Sequence, residues 1–286
     1  MIPASFEYVR AGSVDEALRH AGTAGTKFIA GGQSLLPLMK LRLARPERLV
    51  DIGGLDELRG VRELPDGRLS IGALTTYAEL QDSPATRYGL LADALPDIGD
   101  VQVRNRGTVG GSVAHCDPAS DLPACLLALG AELVARSSRG ERTIGVDGFF
   151  TGAFETTLEA DELLTEIRLP APRDDAGSAF VSLSQPASGY SMVGVAVVVL
   201  RSSAGGPIDG ATVALTGVGE APYRARAVES ALAGSDGSTA SLAAAAAHAT
   251  DGVRVNADIH ADAAYRTAMA AVYTRRAIEA ALDRIA

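Results

Sequence analysis

Residues 27–37 read KFIAGGQSLLP, and this segment says most about the fold. Residues 27–30 are typical of a short buried strand, with three apolar residues after Lys27, and they lead into Gly31 and Gly32. The apolar stretch at 35–43 follows at once. A strand that turns through two glycines lets the backbone approach a ligand closely and leaves successive N–H groups free to cradle a phosphate. The pattern is neither G-x-G-x-x-G nor a P-loop, so a plain strand–helix turn is the alternative interpretation.

A second double glycine lies in the segment TVGGS at residues 108–112, within a stretch at 100–112 that reads as a loop. Two such loops flanked by hydroxyls could clamp the two phosphates of a dinucleotide from opposite sides. Asp121 comes nine residues later and could accept hydrogen bonds from ribose or ribityl hydroxyls. Its alternative role is structural, because Ser120 or Asp121 could be the N-cap of the helix predicted at Asp121–Leu129.

Three other groups of residues are candidates for chemistry. The run His-Cys-Asp at 115–117 lacks the further ligands that a metal site needs, which favours a structural role. Cys125 lies in an apolar run and is expected to be a small buried hydrophobe. Arg104 and Arg106 form a basic spot that is either a solvated turn or a contact for a partner or an anionic ligand.

The remaining periodicities predict an α+β chain with two parts. The first part spans residues 1–175, with subdomains at about 1–55 and 56–175. The second spans residues 176–286 and is predicted to hold a three-stranded antiparallel sheet and helices. The predicted elements are hairpins at 61–71 and 132–144, a strand at 163–169, a linker at 170–177, strands at 180–184, 191–200 and 210–217, and helices at 238–250 and 261–282.

Composition excludes several functions. A net charge of −9 and 5% aromatic residues argue against nucleic-acid binding. Two cysteines are too few for a disulfide-stapled fold or for an iron–sulfur cluster held by this chain alone. The longest apolar run, residues 192–200, is too short to span a membrane, and the N-terminal residues do not resemble a signal peptide. A cytoplasmic protein is therefore expected.

Three motifs occur together and in order: AGGQSLLP at 30–37, QVRNRGTVGG at 102–111 and DPASDLP at 117–123. This set resembles the FAD-binding medium subunits of molybdenum hydroxylases, of the carbon monoxide dehydrogenase type, to which the flavin domain of xanthine dehydrogenase is related. The resemblance spans essentially the whole chain and continues at 162–170, at 190–196 and in Tyr265 and Arg266.

The resemblance implies a vanillyl-alcohol-oxidase-type (PCMH-like) FAD-binding domain followed by a small α+β domain. It also implies one flavin segment of an electron-transfer complex, in which this chain binds FAD but no metal and supplies no catalytic acid or base. A large subunit would carry the molybdenum cofactor and oxidise the substrate, and a small subunit would carry two [2Fe–2S] clusters. The complex would be a dimer of heterotrimers that passes electrons to an external acceptor, in the cytoplasm or attached to a membrane through the complex.

The resemblance also implies which residues contact FAD. Tyr190 would cover the isoalloxazine, Asp121 would be the cofactor-contacting acid, and Ile98 and Leu164 would be apolar lining. The two loops would supply Phe28, Ile29, Ala30, Gly31, Gly32, Gln33, Ser34 and Leu35, and then Thr108, Val109, Gly110, Gly111 and Ser112.

Two positions depart from the family pattern. Ser182 stands where a lysine is common, which would remove a positive charge near the flavin and lower its reduction potential, and Ser112 stands where an asparagine is common. The alternatives to the electron-transfer subunit are a stand-alone flavin oxidase of the same fold and a scaffold that has lost flavin. The substrate stays open among carbon monoxide, an N-heterocycle and an aldehyde, and the acceptor among quinone, oxygen and nicotinamide.

Overall fold

A computed structural model describes residues 2–203 and 205–285 of the chain. It begins with a three-stranded parallel sheet in the order β1-β3-β2, connected by two helices. The Ser13 hydroxyl caps the first helix by accepting a hydrogen bond from the Glu16 amide. The elements are β1 (Glu7–Arg10), α1 (Val14–His20), β2 (Thr26–Ile29), α2 (Leu35–Lys40) and β3 (Arg48–Asp51).

A five-stranded antiparallel sheet follows, in the order β4-β5-β10-β6-β7. Both predicted hairpins form, and the predicted strand at 163–169 is the central strand of this sheet. Five short helices lie between its second and third strands along the chain. The elements are β4 (Val61–Glu63), β5 (Leu69–Gly72), α3 (Tyr77–Gln81), α4 (Gly89–Ala94), α5 (Val101–Arg104), α6 (Val109–His115), α7 (Asp121–Leu129), β6 (Glu132–Ser137), β7 (Gly140–Gly145), β8 (Phe150–Gly152), β9 (Glu155–Thr156) and β10 (Leu163–Leu169).

The prediction of a loop at 100–112 is wrong, because α5 and the start of α6 occupy it. Each helix has a side-chain N-cap: Asp100 accepts from the Val103 amide at 2.8 Å, and Thr108 accepts from the Gly111 amide at 3.1 Å. The two glycines in α6 are poor helix formers, so the sequence pattern of this segment does not indicate a helix. Gly110 packs so closely that a Cβ there would lie 2.5 Å from the Cβ of Ala73.

The C-terminal part contains a four-stranded antiparallel sheet in the order β11-β12-β13-β14. Its three long strands correspond to the three predicted ones, although the first begins at Ala176, inside the predicted linker. The prediction of three strands misses β14, which has only two residues and no readable pattern, and α8 was not predicted either. The elements are β11 (Ala176–Ser184), β12 (Ser191–Leu200), β13 (Gly210–Thr216), β14 (Tyr223–Arg224), α8 (Arg226–Leu232), α9 (Thr239–Ala246) and α10 (Ala263–Leu282).

Both faces of this last sheet are buried, which explains the continuous apolar run in β12. Phe180 and Ala196 on one face belong to the core of the five-stranded sheet, where α4 and α7 pack against them. Val195 and Val197 on the other face pack under α10 in a second core. The three larger sheets follow one another at residues 7–51, 61–169 and 176–224, while β8 and β9 form a separate two-stranded sheet. The domain boundary near residue 175 stays a prediction.

Within residues 2–203 and 205–285, no helix combines the length and the apolar character that crossing a membrane requires.

Candidate functional site

The two double-glycine segments touch. Gly31, at the turn between β2 and α2, approaches the chain just before α6 so closely that a Cβ would lie 1.9 Å from the carbonyl oxygen of Arg106 and 3.0 Å from the Cα of Gly107. Since real Cβ atoms do not come this close to backbone, only glycine fits at this position. The glycines of the first segment therefore serve to bring the two segments together.

The first segment presents a row of free donors. Among the described residues, no acceptor pairs with the backbone amides of residues 31–35. Ser34 occupies the N-cap position of α2, yet its side chain makes no capping hydrogen bond. The Gln33 side chain donates to the Gly31 carbonyl at 3.2 Å and thereby stiffens the turn. A half-exposed turn with successive unpaired amides and a free hydroxyl suits the oxygens of a pyrophosphate.

The second segment has a different construction. The amides of residues 109–112 all donate within the protein, to carbonyls of residues 73–75 and to Thr108. The Ser112 hydroxyl lies 2.7 Å from that of Ser120. This segment therefore offers a ligand a rigid, closely approachable backbone and one hydroxyl. It does not repeat the free amides of residues 31–35.

Asp121 is the first residue of α7 and is only 8% exposed. Ser120 takes the N-cap position without a side-chain bond to the helix, and the Asp121 carboxyl instead accepts a hydrogen bond from the Ser191 hydroxyl at 2.7 Å. Burial raises the pKa of this carboxyl to about 7, the charge of Asp97 adds to the rise, and the bond from Ser191 opposes it. A buried acceptor beside serine hydroxyls suits a polyhydroxyl chain.

Two tyrosines lie around this carboxyl. Tyr190 is 53% exposed at the end of the β11–β12 hairpin, and its pKa is raised by burial of the hydroxyl and by the charges of Asp117 and Asp121. Tyr77 of α3 is buried; burial raises its pKa to about 12, and the nearby Ser112 opposes this rise. Nothing in the sequence pointed to Tyr77, because its place in a short apolar helix is that of an ordinary core residue.

The two predicted apolar contacts differ in accessibility. Ile98 is half-buried, and its carbonyl accepts from Arg104 Nη1 at 3.3 Å, which also donates to Gly99 O at 2.8 Å. Arg104 thus holds the 98–99 turn, and Arg106 is the exposed member of the basic spot. Leu164 is only 4% exposed in the core, so it offers a ligand almost no surface.

The other candidate residues have structural surroundings. Cys116 is buried in a left-handed conformation at the end of α6, its thiol donates to Gly152 O, and burial raises its pKa to about 11. Cys125 is completely buried. Ser182 is half-buried on β11, with its hydroxyl 3.2 Å from that of Ser184. The described part of the chain contains no group of three or more His, Cys, Asp or Glu residues that could hold a metal ion.

A cavity of about 510 Å³ opens beside this cluster, at the junction of the two parts of the chain. Tyr190 and Ser191 line it from the β11–β12 side, Asp117 from just after α6, Asp258 from the segment before α10, and Arg266 from the first turn of α10. The cavity is therefore lined from both parts of the chain, by Asp117 of the first part and by Tyr190 and Ser191 of the second.

These features agree with the comparisons to known protein families. The family described as "FAD binding domain in molybdopterin dehydrogenase" matches residues 4–172, and "CO dehydrogenase flavoprotein C-terminal domain" matches residues 178–281. The chain belongs to the FAD-binding medium subunits of molybdenum hydroxylases. It is thus an FAD-binding flavoprotein subunit of an oxidoreductase, and both the family and the fold class expected from the sequence motifs are confirmed.

Individual relatives show which enzymes contain subunits similar to this chain. The chain is 41% identical over 290 residues to the carbon monoxide dehydrogenase medium chain of Hydrogenophaga pseudoflava, with 100% of both chains covered. A crystal structure of carbon monoxide dehydrogenase from that organism, which lacks the Mo-pyranopterin moiety of the molybdenum cofactor, matches with a TM-score of 0.95 at 42% identity, covering 100% of both chains. The 6-hydroxypseudooxynicotine dehydrogenase complex subunit alpha of Paenarthrobacter nicotinovorans is 37% identical, covering 99% of this chain and 97% of its own.

Proposed function

We propose that this chain is the flavin relay of a molybdenum hydroxylase: its FAD accepts electrons from [2Fe–2S] clusters of a small partner subunit and passes them to an external acceptor. Substrate oxidation would take place at the molybdenum cofactor of a large subunit. The complex would be a cytoplasmic dimer of heterotrimers, and this chain would be attached to a membrane only through that complex. Membership of the family supports this arrangement, and so does the chain's own chemistry, because its two buried cysteines cannot hold a cluster.

The observation that carries the proposal is the row of unpaired amides at residues 31–35, held against the second glycine segment. These amides and the Ser34 hydroxyl would bind the pyrophosphate of FAD, with residues 28–30 and 108–112 forming the walls. Asp121 and Ser112 would bind hydroxyls of the sugar chain. Ile98 and Tyr190 would enclose the isoalloxazine, and Leu164, expected as apolar lining, would reach the cofactor only through its 4% exposed surface.

FAD supplies the redox chemistry when bound, because it exchanges electrons singly or in pairs. The chain's own residues bind and orient it. Backbone donors neutralise the phosphate charge at low cost because the turn is already formed. Tyr190 excludes water from one side, and the buried Asp121 carboxyl, whose pKa is raised by desolvation, accepts from a hydroxyl. None of these roles requires a proton to be moved to or from a substrate.

The choice of substrate would lie outside this chain. The similar proteins named above belong to enzymes that are named for carbon monoxide and for 6-hydroxypseudooxynicotine, and they share this subunit over nearly its full length. A common flavin subunit beside different substrates supports the view that substrate selection belongs to the large subunit.

The test is purification from the native source followed by mass spectrometry and spectroscopy. We expect a molybdenum subunit and an iron–sulfur subunit to co-purify. When the clusters are reduced, as detected by electron paramagnetic resonance, we expect the flavin to bleach in the visible spectrum. A complex rebuilt with Gly31→Ala should keep the clusters but lose flavin, whereas Gly145→Ala, at a position with nothing within 4 Å, should behave as wild type. A chain that purifies without such partners, or clusters that reduce without the flavin, would contradict the proposal.

A further inference from the structure

Arg266 is a buried arginine that the flavin site described above does not use. It lies in the first turn of α10, its side chain is only 4% exposed, and it lines the cavity beside Tyr190. A buried guanidinium is expensive and needs partners for its N–H groups. Its Nε is buried without a partner among the described residues, so the arrangement is not the one that stability alone would favour.

The guanidinium joins two strand ends. Its Nη1 donates to Met192 O at 2.5 Å and to Gly217 O at 2.6 Å. Regular pairing of β12 with β13 ends at Gly194 and Thr216, so these two carbonyls lie beyond the ladder. Gly217 is in the left-handed region with φ +78°, and a Cβ there would lie 2.4 Å from Ser191 O. Arg266 therefore continues the strand contact where the backbone can no longer do so.

Both strand ends lead directly to the flavin site. Met192 follows Ser191, whose hydroxyl donates to Asp121. Gly217 donates its amide to Pro118 O at 2.7 Å, and the adjacent Thr216 hydroxyl donates to Pro118 O and Ser120 O at 2.9 Å each. The guanidinium thus holds two strand ends, one of which hydrogen-bonds to the segment before Asp121 and the other to the Asp121 carboxyl.

The anchor of the guanidinium is Asp258. Arg266 Nη2 donates to Asp258 Oδ2 at 2.5 Å, while Asp258 Oδ1 accepts from the amides of His260 and Ala261. The carboxylate therefore fixes the orientation of the planar guanidinium, which lysine could not reproduce with all three partners at once.

From this geometry we infer that Arg266 is a positioning residue for FAD: by holding the end of β12 it directs the Ser191 hydroxyl onto Asp121 and so keeps the carboxyl aligned for the cofactor. The inference rests on the proposed contact between Asp121 and FAD. It adds to the proposed site one residue of the C-terminal part, Arg266, which contacts neither the glycine segments nor Asp121.

A double-mutant cycle tests the inference. FAD is removed reversibly from the full-length chain in its native complex and titrated back into wild type, Arg266→Gln, Ser191→Ala and the double variant, with the Kd read from flavin fluorescence. Arg266→Gln should weaken FAD binding about tenfold, as expected for one misaligned buried hydrogen bond. It should cause no further loss in the Ser191→Ala background, because its effect passes through Ser191.

Two further variants and a matched control keep the test decisive if Arg266→Gln assembles poorly. Asp258→Asn leaves the arginine in place but loosens its anchor, so a smaller loss of FAD affinity is expected, again only when Ser191 is present. Arg266→Lys should restore part of the affinity. Arg275→Gln removes a cation from the same helix, where it pairs with Glu279 at the surface, and should leave the Kd unchanged.

A merely structural arginine would give a different pattern. Thermal stability would fall while the Kd for FAD stayed within about twofold of wild type, or the loss in Kd would be equal with and without Ser191; either result overturns the inference. Failure of the relay would be seen separately, as clusters that reduce without the flavin, since the cycle measures only cofactor affinity.

Discussion

Replacing Gly31 by alanine should push apart the two glycine segments that form the phosphate site. The added Cβ would lie 1.9 Å from the carbonyl oxygen of Arg106, so the segments would have to separate by about 1.1 Å to restore the 3.0 Å that Cβ atoms normally keep. The obstacle is backbone on both sides, which cannot rotate away as a side chain can. Overpacking of this kind costs about 1–3 kcal/mol of unfolding free energy.

The effect on the cofactor should be larger than the effect on stability, because the displaced turn carries the amides that would bind the pyrophosphate. A loss of only about 1.4 kcal/mol in binding corresponds to a tenfold weaker Kd, and several donors move together, so we expect at least about a tenfold loss. Flavin fluorescence titration gives the Kd, and thermal unfolding of the same samples gives the stability.

Gly145→Ala is the matched control. Gly145 has ordinary backbone dihedrals and nothing within 4 Å of the added Cβ, so the same chemical change should alter neither the Kd nor the melting temperature appreciably. If Gly31→Ala behaved like Gly145→Ala in both assays, the close contact between the glycine segments would have no role in FAD binding, and the reasoning above would be refuted.

Three further outcomes are expected. In the flavin-free chain, the raised pKa of Asp121 means that this carboxyl binds a proton more tightly in the folded than in the unfolded state, so its own contribution to stability is fully present below pH 3.8 and is lost, by of order 4 kcal/mol, as the pH rises to about 7. Denaturation at several pH values should show this slope in wild type and lose it in Asp121→Asn; equal slopes would contradict it. Ser182→Lys should raise the reduction potential of the bound flavin by roughly 30 mV, measured by potentiometry, and an unchanged potential would dismiss the role of this position. Arg106→Glu should weaken binding of the iron–sulfur subunit about tenfold at low salt and less at high salt; an effect no larger than that of Arg254→Glu, a charge reversal at another exposed arginine, would favour a solvated turn.

Much of the fold could be predicted from local sequence. The hairpin at 132–144 and the strand at 163–169 were found because alternation and turn residues act over a few neighbours. Helix α6 was missed because its glycines satisfy a tertiary requirement, the close approach to Ala73, at the expense of helix propensity. Strand β14 was missed because two residues carry no period.

The site was predicted in a similarly uneven way. Both glycine segments could be recognised, but the sequence could not tell that the first has free amides and the second has used its own. Ser120 was a reasonable N-cap candidate, yet its side chain does not cap the helix. Arg266 could not have been identified as buried, because its burial depends on strand ends that lie 74 and 49 residues away in sequence.

The seam between the two parts of the chain has a thermodynamic consequence. The free amides of residues 31–35 and the Asp121 carboxyl belong to the first part, and Tyr190 and Ser191 belong to the second, where the Ser191 hydroxyl donates to Asp121 across the seam. A ligand that contacts both parts acts as a non-covalent cross-link between them. Its binding free energy is therefore added to the stability of both parts rather than of the glycine-bearing part alone.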